Sequence, residues 1–372
     1  TIRVIGTLGG FSGLTAGKEQ FVSATAGALT ETAPTNDRRV AIALATDTIL
    51  IYPQGTQPTP SIGPAPGGSA GYSMGGHSGA AVTTADKITY STDSTAAATT
   101  ADLGATRYGA SGVSGSTTKG YTMGGQNGGS YTSTAYKTTY SSDTTAAQTS
   151  ANLTTTRAEM SGGHGISDTS TKGYVLGGDS GGGTTVTTAD KITYSTDATA
   201  AQTSANISQA RRRSCGISEG TTKGYLFGGE STNNAIVTTA DKTTYSTDAT
   251  AAQTSANLSQ ARRALGGISG DTTKGYMVGG DLAPGQTATA DKVTFSTDAT
   301  AAQTSANLTQ ARGFLSGVTE GILKGYAFGG STAAYVATAD KITYSTDATA
   351  AQTSANLSTI RGYVTGISNN GK

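Results

Sequence analysis

One short motif recurs six times along the chain and constrains its fold more than any other feature. The motif is a glycine and a tyrosine, two further residues and a glycine pair, as in "GYLFGG" and "GYMVGG". The last glycine of the motif lies at Gly76, Gly125, Gly178, Gly229, Gly280 and Gly330, in steps of 49, 53, 51, 51 and 50 residues. A fixed period of this size is typical of solenoids, propellers and other repeat arrays.

The repeat at 262–312 shows how such a unit divides into short strands. A first strand is expected near 264–268, and a second over 275–278, where the glycine pair stops it. In the third, Val293 and Phe295 lie on one face with a threonine between them, which is the period of two expected for a strand. The fourth segment is rich in threonine and alanine and ends on "ANLTQAR". Glycine, aspartate and serine mark the connections, so the pattern predicts an all-β fold with four strands per unit.

Four strands in about 50 residues match the spacing of a kelch repeat, which forms one propeller blade. The unit also resembles a kelch repeat in its residues, with a strand that ends in a glycine pair, a tyrosine in the third strand and an arginine near the start of the next unit. It departs from the family in one respect. Alanine stands where kelch repeats usually have tryptophan, and the chain contains no tryptophan. The resemblance covers 67–372 and implies a six-bladed kelch-like β-propeller.

The residues that carry this resemblance are assigned a structural role in the blades. The glycine pairs are Gly75 and Gly76, Gly124 and Gly125, Gly177 and Gly178, Gly228 and Gly229, Gly279 and Gly280, and Gly329 and Gly330. The third-strand aromatic residues are Tyr90, Tyr140, Tyr194, Tyr245, Phe295 and Tyr344. The arginines are Arg107, Arg157, Arg211, Arg262, Arg312 and Arg361.

The two ends of the repeat region predict how the ring closes. The first unit begins at its second strand, near Tyr72, and the chain ends with "RGYVTGISNNGK", a first strand with no unit behind it. We therefore expect the strand at about 362–368 to complete the first blade, which removes the open sheet edges that favour aggregation. One unit carries extra residues between Arg157 and Ile166, and these are expected to bulge from its inner strand.

Residues 1–66 do not follow the repeat. We expect 1–52 to form a small β module used for attachment or oligomerisation, and 53–66, which holds five of the seven prolines, to be a linker. The stretches "GFSGLTAGKEQFVSATAGALTETAP" and "VAIALATDTILI" resemble a short β module of bacteriophage virion proteins, especially fibres and other appendages. The threonine- and alanine-rich units, such as "YSTDATAAQTSANLSQARR", are also similar to those of phage virion proteins.

Little in the composition points to catalysis. The net charge of +1 gives no electrostatic footprint for nucleic acid, and no apolar run is long enough to span a membrane. The only histidines are His77 and His164, no zinc-ligand spacing occurs, and Cys215 is interpreted as a small apolar inner-strand residue. The aspartate of each "STD" is interpreted as a turn former that bonds its own backbone, and the arginine and "ADK" rows as repeated pairing in the blades. We expect no enzyme activity, no cofactor and no metal.

Variation between the repeats indicates where binding would take place. The loop after each glycine pair differs in all six units, whereas the loop inside "STDATAAQ" hardly changes. Because the strands are antiparallel, the variable loops are expected on the same face as the turns after each "QAR". Binding residues concentrate on loops that a rigid scaffold holds in place. The candidate ligand-binding residues on these loops are Tyr131, Asn233, Asn234 and Tyr335.

The resemblances imply a non-enzymatic virion structural protein, such as a tail or head fibre, a spike or a capsid decoration, exposed on the extracellular virion surface. Its expected partners are other virion proteins, further copies of itself (a trimer being one arrangement) through residues 1–60, and a polysaccharide or protein of the host surface, with no nucleic acid and no membrane insertion. A secreted or cell-surface bacterial kelch protein is the alternative. A kelch sugar oxidase or epimerase-like enzyme fits the residues less well.

Overall fold

The computed structural model describes residues 68–159, 165–370 and 372, together with five strands that precede them. The chain divides into two compact units, Thr1–Pro66 and Gly67–Lys372. In the first unit the strands form one antiparallel sheet. Their order across it is Thr7–Gly9, Thr48–Ile51, Arg39–Ala45, Glu19–Val22 and Leu29–Thr30. The predicted linker at 53–66 and the predicted bulge near Gly162 lie outside the described residues.

The described residues of the second unit form six antiparallel sheets of four strands, which are the blades of a β-propeller. This confirms the predicted fold class. From the inner to the outer strand, blade 1 is Thr365–Ser368, Ala70–Met74, Ala85–Thr89 and Ser94–Ala97. Blade 2 is Ser111–Val113, Lys119–Met123, Ala135–Thr139 and Thr144–Ala147, and blade 3 is Ile166–Ser167, Lys172–Leu176, Ala189–Thr193 and Ala198–Ala201.

The remaining three blades follow the same order along the chain. Blade 4 is Cys215–Ser218, Lys223–Phe227, Ala240–Thr244 and Ala249–Ala252. Blade 5 is Gly266–Ile268, Lys274–Val278, Ala290–Thr294 and Ala299–Ala302. Blade 6 is Ser316–Thr319, Lys324–Phe328, Ala339–Thr343 and Ala348–Ala351.

The C-terminal strand closes the ring, as the sequence predicts. Thr365 lies opposite Met74 and Ile367 opposite Tyr72 in an antiparallel pair, so the last strand becomes the inner strand of the first blade. The N–H of Gly362 donates to the carbonyl of His77, and the His77 N–H donates back to Gly362. Closure therefore satisfies the backbone groups of an otherwise open edge.

The outer strand is shorter than the sequence suggests. In blade 5 it ends at Ala302, and a 3₁₀ turn at Thr304–Ala306 leads into the "ANLTQAR" segment. The side chain of Asn307 accepts a hydrogen bond from the N–H of Ala290, 2.8 Å away. An asparagine that bonds a neighbouring strand's backbone ends the ladder and redirects the chain toward the next blade.

Each glycine pair occupies backbone angles that side chains disfavour. Gly228 has φ +58 and Gly229 has φ +106, and the other five pairs lie in the same region. A Cβ on Gly228 would lie 2.6 Å from the carbonyl oxygen of Arg262, which is closer than real Cβ contacts allow. Glycine is therefore required both for the turn and for the close approach of Arg262, which lies in the segment that crosses from this blade to the next. We call such a segment a crossing segment.

Stacked aromatic pairs join neighbouring blades. The second-strand tyrosine of each blade stacks on the third-strand tyrosine or phenylalanine of the next, with ring centroids 5.5–6.0 Å apart. The pairs are Tyr72 with Tyr140, Tyr121 with Tyr194, Tyr174 with Tyr245, Tyr225 with Phe295, Tyr276 with Tyr344, and Tyr326 with Tyr90. Both members of each pair are buried, so these rings supply apolar area at every interface between blades.

The interpretation of the "STD" aspartates needs correction. Each has φ near +52, which fits a turn, but the carboxylates bond the neighbouring blade instead of their own backbone. Asp298 of blade 5 accepts from Lys223, Lys242 and Tyr225 of blade 4, with the lysine nitrogens 2.7 and 2.6 Å away. Asp93, Asp197, Asp248 and Asp347 repeat this three-donor arrangement. We call it the aspartate clamp.

A buried ion pair holds the segment that crosses into five of the six blades. Arg262 and Asp291 are both fully buried and lie 2.5 Å apart, and the guanidinium also donates to the carbonyl of Gly279. Four further pairs repeat it: Arg157 with Asp190, Arg211 with Asp241, Arg312 with Asp340, and Arg361 with Asp86. The regular arginine and "ADK" rows are thus structural, as the sequence indicates.

Candidate binding face

The variable loops and the crossing segments share one face of the propeller. Backbone bridges join the start of each variable loop to the residues just after a crossing arginine, as between Asp281 and Arg263 and between Ser331 and Gly313. In blade 2 the loop is a hairpin in which Gln126–Asn127 pairs with Ser130–Tyr131. The two central glycines, Gly128 and Gly129, both have positive φ, as a tight two-residue turn requires. We call this side of the ring the variable face.

The four candidate ligand-binding residues all lie on the variable face, but they divide into two groups. Tyr131 and Asn234 lie near Arg212, and Asn234 accepts a hydrogen bond from its Nη2 at 3.3 Å. Asn233 precedes Asn234 in an exposed turn in which both have φ near +60. Tyr335 belongs to the other group, with its ring 5.4 Å from that of His77.

A charged network occupies the part of the variable face formed by blades 3–5. Arg212 contacts Asp179 at 2.5 Å, Glu230 at 2.7 Å and Glu159 at 3.1 Å. Arg213 contacts Glu159 at 2.8 Å, so the two arginines share one carboxylate. The other members are Arg263, which contacts Glu230, and Asp281, 2.8 Å from Arg263. The arginine cluster of "ARRRSC" is therefore neutralised by carboxylates of the same protein.

The electrostatic consequences of this network are seen at two of its neighbours. Burial disfavours the charged form of Glu230, but hydrogen bonds from Arg212 and Arg263 outweigh it and lower the pKa of this carboxyl. Partial burial, followed by the charges of Asp179 and Glu159, raises the pKa of the Tyr131 phenol. At neutral pH Glu230 is therefore ionised and Tyr131 keeps its proton to donate.

An aromatic row crosses the rest of the variable face. The ring of Tyr335 lies near His77, His77 meets Tyr108 edge-on at 5.1 Å, and Tyr108 meets Tyr363 at 5.6 Å. Tyr363 stacks on Phe314 with centroids 4.2 Å apart. All five side chains are partly exposed. The row therefore runs from the Tyr335 loop to Tyr363 and Phe314, which belong to two of the crossing segments.

The channel mouth is formed by one residue from each crossing segment. Five backbone hydrogen bonds of 2.6–3.1 Å join these residues in a chain around the axis, each N–H donating to the carbonyl of its neighbour. The six residues are Gly109, Glu159, Arg213, Ala264, Phe314 and Tyr363. All have φ between +50 and +62, a region that costs a non-glycine residue about 1–2 kcal/mol. We call them the mouth ring.

A shallow pocket opens inside the mouth ring. Phe314, Tyr363, Glu159 and Arg213, from four different crossing segments, line it. Leu315 and Val364, both buried, are the apolar residues that line it with them. The guanidinium of Arg213 also lies over the Phe314 ring at 5.6 Å. The lining of this small pocket thus combines apolar side chains with an ion-paired glutamate and arginine.

Sequence reasoning directed attention to the loops and missed the mouth ring. The signal was present, because the position two residues after the crossing arginine differs in every repeat, being Gly, Glu, Arg, Ala, Phe and Tyr. The arginine before it and the glycine three residues after it in most repeats hardly vary. What the sequence does not show is that these six side chains converge on one axis.

Among the described residues, no three His, Cys, Asp or Glu side chains are placed to hold a metal ion. Cys215 is fully buried, and this burial raises the pKa of its thiol, which leaves it a packing residue. In the same residues no helix is long and apolar enough to cross a membrane. No protein-family model matches the chain, and no curated protein matches it either.

Proposed function

We propose that this protein is a non-enzymatic structural component of a bacteriophage virion that uses the variable face of a kelch-like propeller to attach to a host-surface glycan. The observation that carries the proposal is the contrast between the two faces. All six variable loops lie on the face that surrounds the channel mouth, whereas the loops between the third and fourth strands, on the opposite face, repeat almost unchanged. A constant scaffold with one varied face is the arrangement that recognition proteins use.

The chemistry of the variable face supports a glycan as the ligand. The three arginines of the charged network are each paired with carboxylates, so this network leaves no uncompensated positive charge for nucleic acid or an acidic partner. The face offers tyrosine and histidine rings, and asparagine amides that donate and accept. Sugars present hydroxyl groups and apolar ring faces, which match both.

The resemblance of residues 10–34 and 40–51 to a phage virion module supports the placement on a virion. In this proposal residues 1–60 join other virion proteins or further copies of the chain, and the propeller meets the extracellular surface of the host. Several propellers on one particle then raise a weak single contact to a strong attachment through effective concentration.

Two measurements test the proposal. Mass spectrometry of purified phage particles is expected to find the chain, and its presence only in a bacterial secreted or envelope fraction would favour the alternative of a bacterial surface protein. The second measurement is attachment of the isolated propeller to host cells after Tyr131→Ala, Tyr335→Ala, Asn233→Gly and Asn234→Gly are combined. Glycine replaces the asparagines because both have φ near +60, where alanine would add strain. We expect attachment to fall at least tenfold with the melting temperature retained.

A further inference from the structure

The tip of the blade 2 hairpin places an asparagine directly before a glycine on the variable face. Asn127 and Gly128 are both exposed, and a Cβ on Gly128 would meet no atom within 4 Å. The backbone nitrogen that follows an asparagine can attack the side-chain amide and close a five-membered ring. A side chain on the following residue hinders this attack, so glycine leaves the nitrogen most accessible.

We propose that Asn127 is a site of spontaneous deamidation, which puts a negative charge on the variable face; this inference does not rest on the proposed function. The Gly128 nitrogen forms a bond to Cγ of Asn127, and its proton passes through solvent to Nδ2, which leaves as ammonia. A water molecule then opens the succinimide ring at either of its two carbonyl groups. The products are aspartate and isoaspartate at position 127.

The atoms that react are free of protein hydrogen bonds that would hold them back. Among the described residues, no acceptor bonds the N–H of Gly128, and Nδ2 of Asn127, the leaving group, has no partner. Oδ1 of Asn127 accepts from the hydroxyl of Thr106 at 2.9 Å. This bond draws electrons from Cγ and makes it a better target for the nitrogen.

The backbone of Asn127 has to rotate out of the strand for the attack, and the hairpin opposes this only weakly. It holds two residue pairs, Gln126 with Tyr131 and Asn127 with Ser130, and only the second has to open. A terminal pair beside two exposed glycines opens at a low cost in free energy. Folding therefore leaves this site close to the reactivity that it has in the unfolded chain.

Five other asparagines of the propeller show the opposite arrangement and serve as internal controls. Oδ1 of Asn257 accepts from the N–H of Ala240 at 2.9 Å. The next residue is the buried Leu258, whose N–H donates to the carbonyl of Thr238, so the nitrogen that would attack is both hindered and bonded. The same contacts recur at Asn152, Asn206, Asn307 and Asn356.

Deamidation changes the surface of the loop that carries Tyr131. The new carboxylate lies one residue from Gln126, which is paired with Tyr131 across the hairpin. Isoaspartate also lengthens the main chain by a methylene group between Gln126 and Gly128. A ligand that contacts this loop therefore meets a different surface on aged protein than on fresh protein.

The test incubates the folded full chain at pH 8 and follows each asparagine by peptide mapping with mass spectrometry. We expect Asn127 to convert to aspartate and isoaspartate at least tenfold faster than Asn257, and within about tenfold of its own rate in urea. The other asparagine–glycine pair of the chain, at 370–371, is followed as a separate peptide.

Two variants at the hairpin sharpen the test. Gly128→Asp puts a side chain on the attacking residue, and aspartate tolerates the positive φ, so we expect conversion of Asn127 to slow at least tenfold. Ser130→Asp adds the same charge but leaves the asparagine–glycine pair intact, and its rate is expected to stay within about twofold of the wild type. Thermal melting verifies that both variants stay folded during the incubation.

Three results would overturn the inference. The first is conversion of Asn127 that is less than tenfold faster than that of Asn257. The second is a rate in the folded chain that lies more than tenfold below the rate in urea, because the hairpin would then protect the site. The third is equal slowing by Gly128→Asp and Ser130→Asp, because the added charge and not the blocked nitrogen would then control the rate.

Discussion

The interface between blades 1 and 2 is built differently from the other five, although the strands on both sides pair in the same way. In blade 2 the "ADK" sequence is "AYK", so Arg107 meets the ring of Tyr136 at 4.8 Å in place of a carboxylate. Its guanidinium donates to the carbonyl of Thr134 at 2.7 Å. Gly104 stands where the other repeats have serine or threonine, and a Cβ there would lie 2.8 Å from the Tyr136 ring.

The aspartate clamp is also reduced at this interface. Asp143 accepts from Lys87 and Tyr72 of blade 1 but has no second lysine, because Ala70 occupies the position of Lys119 in the next blade. The stacked pair of Tyr72 and Tyr140 is retained at 5.5 Å. The apolar contact is therefore common to all six interfaces, whereas the ionic contacts differ.

This comparison shows which interactions the propeller requires. Three residues differ together at this interface, since the larger Tyr136 needs Gly104 beside it and leaves Arg107 to pair with a π face. A buried ion pair often contributes little net stability relative to a well-packed alternative, because desolvation offsets the attraction. The ring closes although the sixth ion pair is absent. We therefore expect each intact pair to add little net stability, and a large loss of stability only when one partner of a pair is removed.

Acid is expected to have the largest effect. At Asp298, Asp93, Asp197 and Asp347 burial opposes ionisation, but hydrogen bonds from two lysines and a tyrosine outweigh it and lower each pKa to about 2. A carboxyl with a lowered pKa stabilises the fold above its unfolded pKa of about 4 and loses that contribution as the pH falls through its folded value. Thermal unfolding from pH 5 to pH 2 is expected to show a steep loss of stability over this window. A flat profile would contradict the clamp geometry.

The same substitution at two crossing arginines is expected to show the next largest difference. Arg262→Met leaves the carboxylate of Asp291 buried without its partner and is expected to cost about 3–5 kcal/mol. Arg107→Met leaves only neutral groups behind and is expected to cost about 1–2 kcal/mol. Urea unfolding measures both, and the double variant Arg262→Met with Asp291→Leu is expected to recover most of the loss. Equal costs at the two arginines would show that the carboxylate plays no special part.

The same substitution in two aspartate clamps is expected to show a smaller difference in stability than the two arginine variants do. Asp298→Asn keeps the shape and tolerates the positive φ, but it removes the charge that two lysines contact, so we expect a loss of about 1–2 kcal/mol. Asp143→Asn removes a charge that faces one lysine and is expected to cost about half as much. Asp298→Asn is also expected to flatten the acid profile more than Asp143→Asn does, which separates the clamp from general effects of substitution.

The smallest expected effect is a gain in stability. Ala70→Lys supplies the missing lysine beside Asp143 and is expected to raise stability by about 0.5 kcal/mol, the usual value for a partly exposed ion pair. Ala70→Gln, with a similar stem and no charge, is the control. A gain that persists equally in the glutamine variant would arise from packing of the stem and not from the clamp.

Much of the fold could be predicted from the sequence because one unit of about 50 residues repeats six times. The glycine pairs, the four-strand units and the closing strand follow from periodicity and from the two incomplete ends, and the structure confirms them. The role of Asp298 was predicted only in part, since its turn is local but its partners come from another blade. The loops around Tyr131, Asn234 and Tyr335 were placed on one face by strand direction alone, while their division into a charged and an aromatic group was not.

The sequence by itself determined the number of blades, the order of their strands and the face that varies, because each of these depends on spacing along one repeat. Only the tertiary structure decided which residues of different blades meet. Glu159, Arg213, Phe314 and Tyr363 belong to four different crossing segments, far apart along the chain, yet they lie around one axis. The sixfold closure of the sheets brings them together, and no local pattern records which side chain stands opposite which across the channel mouth.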